Sequence, residues 1–356
     1  MSTGKDSSRY WLAAALLAVS GWASALPLVV ITDMEPDDRI ALELLMGHAE
    51  HRLVLVGSTV MHASRKQALA QQVMTSHGLE AVPVVVGSGG QAEDFPAIQS
   101  SAAARAYEQE GQGILDPDSL RELNLNQPRS DSALRHALCR VLKQHEAVEI
   151  LLLAPPTDLA AVLQAQPELQ GRIEHIHVMG GWVEHDGVLR TTYNWNMDPS
   201  ASAALMAMEQ IPMTLFSSDL IKQTFQGGSI SRTGNPVLFE QMQGVTDSNP
   251  AMADFFTATA SWDQHVLARI PALVPVIGDD AGYQFTPADP LLVGAMRDPA
   301  MVLASEPVSI QIDLEAMDPQ RGYAVEVTPN PDSRINWVTE MDPDRFLQLL
   351  SEHFNR

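Results

Sequence analysis

The sequence predicts an α/β protein built on an open, mostly parallel sheet with helices on both faces. Short β-branched apolar runs alternate along the chain with segments of helical periodicity, and polar clusters follow several of these runs. The chain has 356 residues, enough for one large core, and neither a linker nor a repeat divides it. We therefore expect one domain over residues 26–356.

The first 25 residues have the composition of an export signal. Lys5 and Arg9 precede an apolar run at 11–19, and Ala23-Ser24-Ala25 provides the small residues that a signal peptidase recognises. We expect cleavage after Ala25 and a periplasmic or secreted product that is free of the membrane. A retained membrane anchor is the alternative.

Composition limits the partners. The formal net charge is -22, with 45% hydrophobic residues, which indicates a soluble globular protein and argues against nucleic acid. A single cysteine, Cys139, excludes an internal disulfide, and its position in a helical pattern predicts a buried structural thiol. The sequence leaves open whether the chain forms a homo-oligomer.

The first predicted strand, at 28–31, is followed at once by an acidic turn. Asp33, Glu35, Asp37 and Asp38 lie between this strand and a helix whose first turn contains Pro36. Open α/β sheets bind ligands at the carboxyl ends of their strands. Such closely spaced carboxylates either spread into water or surround a hard cation, and both interpretations fit the pattern.

The remaining elements follow from the same periodicities. They are a strand at 52–60, a helix at 64–77, a short strand at 83–86, a helix at 132–145, strands at 148–153 and 175–179, and a helix at 200–209. The glycine-rich loop 87–90 lacks GxGxxG or Walker spacing and a lysine, which argues against a phosphate site. The polar segment 91–129 is predicted to be a surface excursion or an active-site loop.

Two further strand ends carry polar residues. After 148–153, Thr157 or Asp158 is predicted to cap a helix, and a backbone carbonyl there could face a metal ion. After 175–179, Trp182 and the segment 194–199 combine indoles with asparagines. Amides suit sugar hydroxyls and indoles suit a flat ring, but loop and core roles explain these residues equally well.

Five motifs, in this order, resemble the inosine/uridine-type nucleoside hydrolase family. They are TDMEPDD at 32–38, APPTDLA at 154–160, HVMGG at 177–181, NWNMDP at 194–199 and ADPLLVGAMRDP at 288–299. The first is the most specific, because the family signature is an aspartate followed at four and five residues by two more. The resemblance implies a nucleoside hydrolase-like fold with a Rossmann-like core, acting on a nucleoside or related ribosyl substrate.

The resemblance also implies roles for individual residues. It implies that four groups hold a calcium ion: Asp33, Asp38, the carbonyl of Thr157 and Asp289. Asp33 would also be the catalytic base, with Asp37 on the sugar side and Asn194 at the ribose. The chemistry agrees, because a sugar cation forms as the bond breaks, and Ca²⁺ can grip the sugar and lower the pKa of a water that a carboxylate then deprotonates.

The chain departs from the family at the sugar and base contacts. Ala288 stands where the family has a histidine thought to assist the leaving base, and Thr192 stands where it has a glutamate. A family asparagine falls near Asp186, and another is replaced by His62 or Ser64. The metal positions match fully, whereas these substrate positions match in part.

Two classes of function follow. The first is an exported, calcium-dependent hydrolase of ribonucleosides that serves purine or pyrimidine salvage. Its leaving base would be helped by stacking on Trp182 or Trp195, or by His62, His185 or His265. The alternative is a metal-dependent sugar or nucleoside-binding protein with little or no turnover. We favour the hydrolase, because a complete set of buried metal carboxylates is costly for a mere scaffold.

Overall fold

The computed structural model describes residues 25–46, 50–60, 63–88, 133–225, 240, 244, 287–318 and 321–354. Residues 1–24 of the predicted export signal, the 91–129 excursion, His62 and His265 lie outside these ranges. No helix within the described ranges is long and apolar enough to cross a membrane.

One sheet runs through the described part of the chain. Its strands are β1 (Leu26–Thr32), β2 (His51–Ser58), β3 (Val84–Val86), β4 (Val148–Leu152), β5 (Ile173–Met179), β6 (Trp182–His185), β7 (Val188–Thr191), β8 (Met213–Phe216), β9 (Val302–Asp318), β10 (Gly322–Pro329) and β11 (Ile335–Met341). Their spatial order is β3-β2-β1-β4-β5-β8-β11-β9-β10-β7-β6. The part from β3 to β11 is parallel, so its carboxyl ends share one edge.

Helices cover both faces of the parallel part. They are α1 (Pro36–Leu45), α2 (Ala63–Ser76), α3 (Ala133–Gln144), α4 (Thr157–Ala165), α5 (Tyr193–Met197), α6 (Pro199–Met206), α7 (Ser218–Thr224), α8 (Ala288–Arg297) and α9 (Pro343–Phe354). Alternate residues of β1 enter two separate cores. Leu28 and Val30 pack with α1 and α8, whereas Val29 and Ile31 pack with α3 and α4. The predicted fold class is confirmed.

An antiparallel extension completes the sheet beyond the parallel part. β9 pairs antiparallel with β11 and β10, and the β6–β7 hairpin joins the sheet through β10. The sequence does not predict β9 and β10, because these strands alternate weakly and expose many side chains. Elements that were predicted have ends shifted by one to three residues, as for β2 and α6.

Cys139 is only partly buried, so the prediction of a buried thiol is wrong. It lies in α3 at the margin of the second core, where Gln166 Nε2 donates a hydrogen bond to its sulfur over 3.1 Å.

Candidate active site

The acidic turn after β1 is held by Thr32 and by the first turn of α1. The Thr32 hydroxyl donates to Asp38 and accepts the backbone N–H of Met34 at 2.9 Å. The backbone N–H of Glu35 donates to Asp38 Oδ2, also at 2.9 Å. Met34 has a φ of +48°, a left-handed conformation that non-glycine residues seldom adopt and that is typical of functional turns. Asp38 is thus fixed from both sides of the turn.

Helix α8 brings Asp289 to this turn. It packs against α1, and the backbone N–H of Asp289 lies 3.4 Å from Asp37 Oδ2, although the two residues are 252 positions apart. Ligand atoms of Asp37, Asp38 and Asp289 all lie within 4.8 Å of one another. We call these three residues and the neighbouring Asp33 the acid cluster. Asp33, Asp38 and Asp289 are at most 3% exposed.

Burial and mutual repulsion disfavour the charged forms of the carboxyl groups in the acid cluster. Burial, and then the charge of Asp33, raises the pKa of Asp37 to about 7, and burial with the charge of Asp37 raises that of Asp38 to about 7. Burial and the charges of the other three acids raise the pKa of Asp289 well above its usual value. A divalent cation would supply the missing counter-charge, and the carboxylate oxygens are the hard donors that Ca²⁺ prefers. The residues present therefore fit the implied metal.

Asn194 ties together the ends of two strands beside the acid cluster's edge of the sheet. Its Nδ2 donates to the carbonyl oxygen of Leu153 at 2.8 Å and to that of Met179 at 3.2 Å. Its Oδ1 is buried and has no hydrogen-bond partner among the described residues. A buried acceptor of this kind is costly unless a ligand donor reaches it.

Thr157 is the first residue of α4, five positions after Leu152, the last residue of β4. The prediction that Thr157 or Asp158 caps this helix is wrong, because the helix begins one residue earlier than expected and Pro156 is its N-cap. The buried Asp158 carboxylate instead accepts from Ser88 N–H at 2.7 Å and from Arg135 Nε at 2.8 Å. This contact connects the loop after β3 to the start of α4.

The two indoles proposed for base stacking lie inside the protein. Trp182 is 0% and Trp195 is 1% exposed, with ring centroids 6.0 Å apart. Gly180 has a φ of +152°, and a Cβ there would lie 2.8 Å from Trp195 Nε1, so only glycine allows this close packing. A base could stack on either ring only after these side chains move.

The other predicted substrate residues are dispersed. Asp186 is exposed in the turn between β6 and β7 and pairs with Arg321, which lowers its pKa. Thr192 is the N-cap of α5, and its hydroxyl contacts the Gly181 carbonyl at 3.3 Å. Ala288 is buried at the start of α8.

Thr32 holds the acidic turn but was not among the residues predicted for the site. A hydroxyl residue that ends a buried strand immediately before an acid was the available signal.

His185 lies at the end of β6, and the structure does not describe the other two candidate histidines, His62 and His265.

Known proteins that are similar to this chain in sequence are nucleoside hydrolases. A family model described as inosine-uridine preferring nucleoside hydrolase matches residues 28–348. The pyrimidine-specific ribonucleoside hydrolase RihA of Salmonella agona is 26% identical over 218 residues, which are 60% of this chain and 68% of RihA.

Solved structures share the fold. The plant nucleoside hydrolase PpNRh1 enzyme has a TM-score of 0.65 at 15% identity, covering 93% of this chain and 99% of that one. The purine-preferring ribonucleoside hydrolase from Gardnerella vaginalis has a TM-score of 0.63 at 20% identity, covering 92% and 98%. The type III effector protein XopQ, complexed with adenosine diphosphate ribose, has a TM-score of 0.64 at 17% identity, covering 98% and 99%.

Proposed function

Because the chain belongs to the inosine-uridine preferring nucleoside hydrolase family, we propose that it cleaves the N-glycosidic bond of ribonucleosides or a related N-ribosyl compound, with Ca²⁺ at the acid cluster and Asp33 as base. The observation that carries this proposal is the convergence of buried carboxylates from the β1–α1 turn and from α8. Ionising these buried acids together costs free energy, as their raised pKa values indicate, and a bound cation offsets that cost.

The implied metal would be held by carboxylates of the acid cluster, with the Thr157 carbonyl as a further ligand. When bound, Ca²⁺ supplies a Lewis-acidic centre that acidifies water and grips sugar hydroxyls. The finer choice of Ca²⁺ over Mg²⁺ is supported by the several protein oxygens on offer, because Mg²⁺ usually keeps several waters and requires stricter octahedral geometry.

The chain's own residues then have defined tasks. Asp33 takes a proton from the attacking water, whose oxygen bonds to the anomeric carbon while the electrons of the N-glycosidic bond pass to the departing base. Asp37 lies on the sugar side and adds negative charge near the developing sugar cation. The buried Oδ1 of Asn194 accepts a hydrogen bond from a ribose hydroxyl.

The base side of the reaction is less complete. With Ala288 at the start of α8, the departing base is protonated by solvent or by another residue, for which His62, His185 and His265 are the candidates. This gap favours the second candidate function, a nucleoside- or sugar-binding protein with little turnover. We further propose export of the chain after cleavage at Ala25, which N-terminal sequencing of the protein from a periplasmic or culture fraction would test.

Ribose release separates the two functions. The mature chain is incubated with Ca²⁺ and inosine, uridine, cytidine or adenosine, and free reducing sugar is measured; ADP-ribose is included as a binding probe. We expect the wild type to release ribose from at least one nucleoside. Asp33→Asn should lose that release, whereas the matched surface control Asp332→Asn should release ribose as the wild type does. Saturable binding without ribose release from any nucleoside would establish the binding protein instead.

A further inference from the structure

A cavity that we call the second cavity lies apart from the acid cluster, toward the amino ends of the parallel strands. It has a volume of about 560 Å³ and opens between the strands and the α8 residues Leu292, Ala295 and Met296. Its polar lining comes from residues near the amino ends of neighbouring parallel strands, whereas the acid cluster lies at their carboxyl ends. Across the strands this lining forms a row of Glu149 of β4, His175 and His177 of β5, Thr214 of β8 and Asn336 of β11. The other polar residues of the lining are Glu50, His51 and Ser305, and His51 Nε2 lies 2.5 Å from Glu149 Oε2.

This polar row interrupts an otherwise apolar sheet face. Side chains two positions further along the strands point the same way and are buried and apolar, as Leu151, Phe216 and Val338 are. Burying a row of polar groups across adjacent strands costs free energy unless they find partners. Within the row, His175 Nε2 lies 2.8 Å from Thr214 Oγ1.

The row carries negative charge. Burial alone would raise the pKa of Glu149, but the hydrogen bond with His51 at 2.5 Å and the nearby imidazoles lower it below its usual value. Burial lowers the pKa of His177 to about 3 and also lowers that of His175, so both rings are neutral near pH 7. Glu50 adds a second carboxylate, and the described lining contains no lysine or arginine.

These features select a class of ligand. A phosphate or carboxylate would meet Glu50 and Glu149 without a lysine or arginine in the described lining to bind it. A metal ion is disfavoured as well. Among the described residues, only Asp37, Asp38 and Asp289 bring three ligand atoms of His, Cys, Asp or Glu side chains within 4.8 Å of one another. The volume is that of a small-molecule site, with an apolar wall facing the polar row.

We propose that this cavity binds a small organic cation, with an ammonium group at Glu149 and an aliphatic or aromatic body against Phe216, Leu292 and Met296. The neutral imidazoles and the Thr214 hydroxyl accept the remaining ammonium hydrogens. The polar row lies toward the amino ends of the strands, whereas the acid cluster lies at their carboxyl ends, so this site is separate from the acid cluster.

Benzylamine is a suitable probe, with benzyl alcohol and benzoate as neutral and anionic controls of similar shape. Calorimetric titration of the full chain, saturated with Ca²⁺ at pH 7.5, should show saturable binding of benzylamine and none of benzoate. Glu149→Gln should weaken binding at least about tenfold, the loss expected for one charge-assisted hydrogen bond. Met296→Trp, which leaves every charge in place and fills the cavity from α8, should also weaken it.

Asp38→Asn distinguishes the cavity from the acid cluster, since an ammonium ion could also bind there. Benzylamine affinity should be unchanged in this variant. The proposal is overturned if Asp38→Asn abolishes binding while Glu149→Gln and Met296→Trp do not. It is also overturned if benzyl alcohol binds as well as benzylamine, or if no binding is seen up to about 10 mM, where a millimolar site would be largely occupied.

Discussion

Asp38→Asn should change the stability of the protein in opposite directions with and without calcium. In a chelator the wild-type acid cluster has no counter-ion, and the pKa of Asp38 is raised from 3.8 to about 7 by burial and by Asp37. A shift of this size corresponds to about 4 kcal/mol, at about 1.4 kcal/mol per pKa unit. Because the folded-state pKa is above the unfolded one, this cost grows as the pH rises and is complete above about 7.

The variant avoids that cost at pH 8 but loses the hydrogen bond that Asp38 Oδ2 accepts from the Glu35 N–H. The loss of such a cap is worth about 1 kcal/mol. The balance is a gain of about 3 kcal/mol in unfolding free energy for Asp38→Asn in the chelator. With Ca²⁺ at about 1,000 times its dissociation constant, the wild type gains about 4.1 kcal/mol that the variant forgoes, which leaves Asp38→Asn about 1 kcal/mol less stable than the wild type.

Urea unfolding followed by circular dichroism at pH 8, with chelator or with Ca²⁺, measures both effects. Asp342→Asn is the matched control, because Asp342 also accepts a backbone N–H at a helix start, from Arg345 at 3.1 Å, but lies away from the acid cluster. Its effect should be the same in both conditions. A loss of stability in Asp38→Asn that is equally large with chelator and with Ca²⁺ would refute the counter-ion argument.

Three further predictions concern separate parts of the molecule. Ala288→His should raise inosine turnover more than p-nitrophenyl riboside turnover, because only the nucleoside base needs a proton on leaving; equal gains in steady-state assays would contradict this. His177→Gln should reduce the loss of stability on acidification. Burial lowers the pKa of His177 to about 3 in the folded wild type, so this imidazole takes up a proton below about pH 6.5 only in the unfolded chain. The unfolding free energy of the wild type therefore falls with pH by up to about 1.4 kcal/mol per unit. Urea midpoints between pH 7 and pH 5 test this, and equal slopes would refute it. Arg135→Met should cost about 2 kcal/mol in the same unfolding assay, because it leaves the buried Asp158 carboxylate without its cation. The exposed Arg321→Met should cost much less, and similar costs would contradict the reasoning.

The local parts of the fold and site could be predicted from sequence. The apolar strand before Thr32, Pro36 in the first helical turn and the acids between them are all signals within a dozen residues. The approach of Asp289 to Asp37 was accessible only through the family resemblance, which the family match confirms, because no local pattern connects residues 252 positions apart.

Other features depended on tertiary context. Trp182 and Trp195 stand among glycines and asparagines, so their sequence neighbours do not reveal that they are core residues. The polar row of the second cavity was missed because β4 and β5 were each interpreted alone as buried strands. His175 and His177, two positions apart, share a face with Glu149 only when the strands are aligned.

The central claim is that nucleoside cleavage depends on a divalent cation held by the acid cluster. The most direct test titrates Ca²⁺ into the chelator-treated chain while both bound metal and ribose release from its best nucleoside substrate are measured. We predict that turnover rises in parallel with binding of one equivalent of Ca²⁺, and that Asp38→Asn shows neither response. Ribose release that persists undiminished in the chelator, or in Asp38→Asn, would contradict the account.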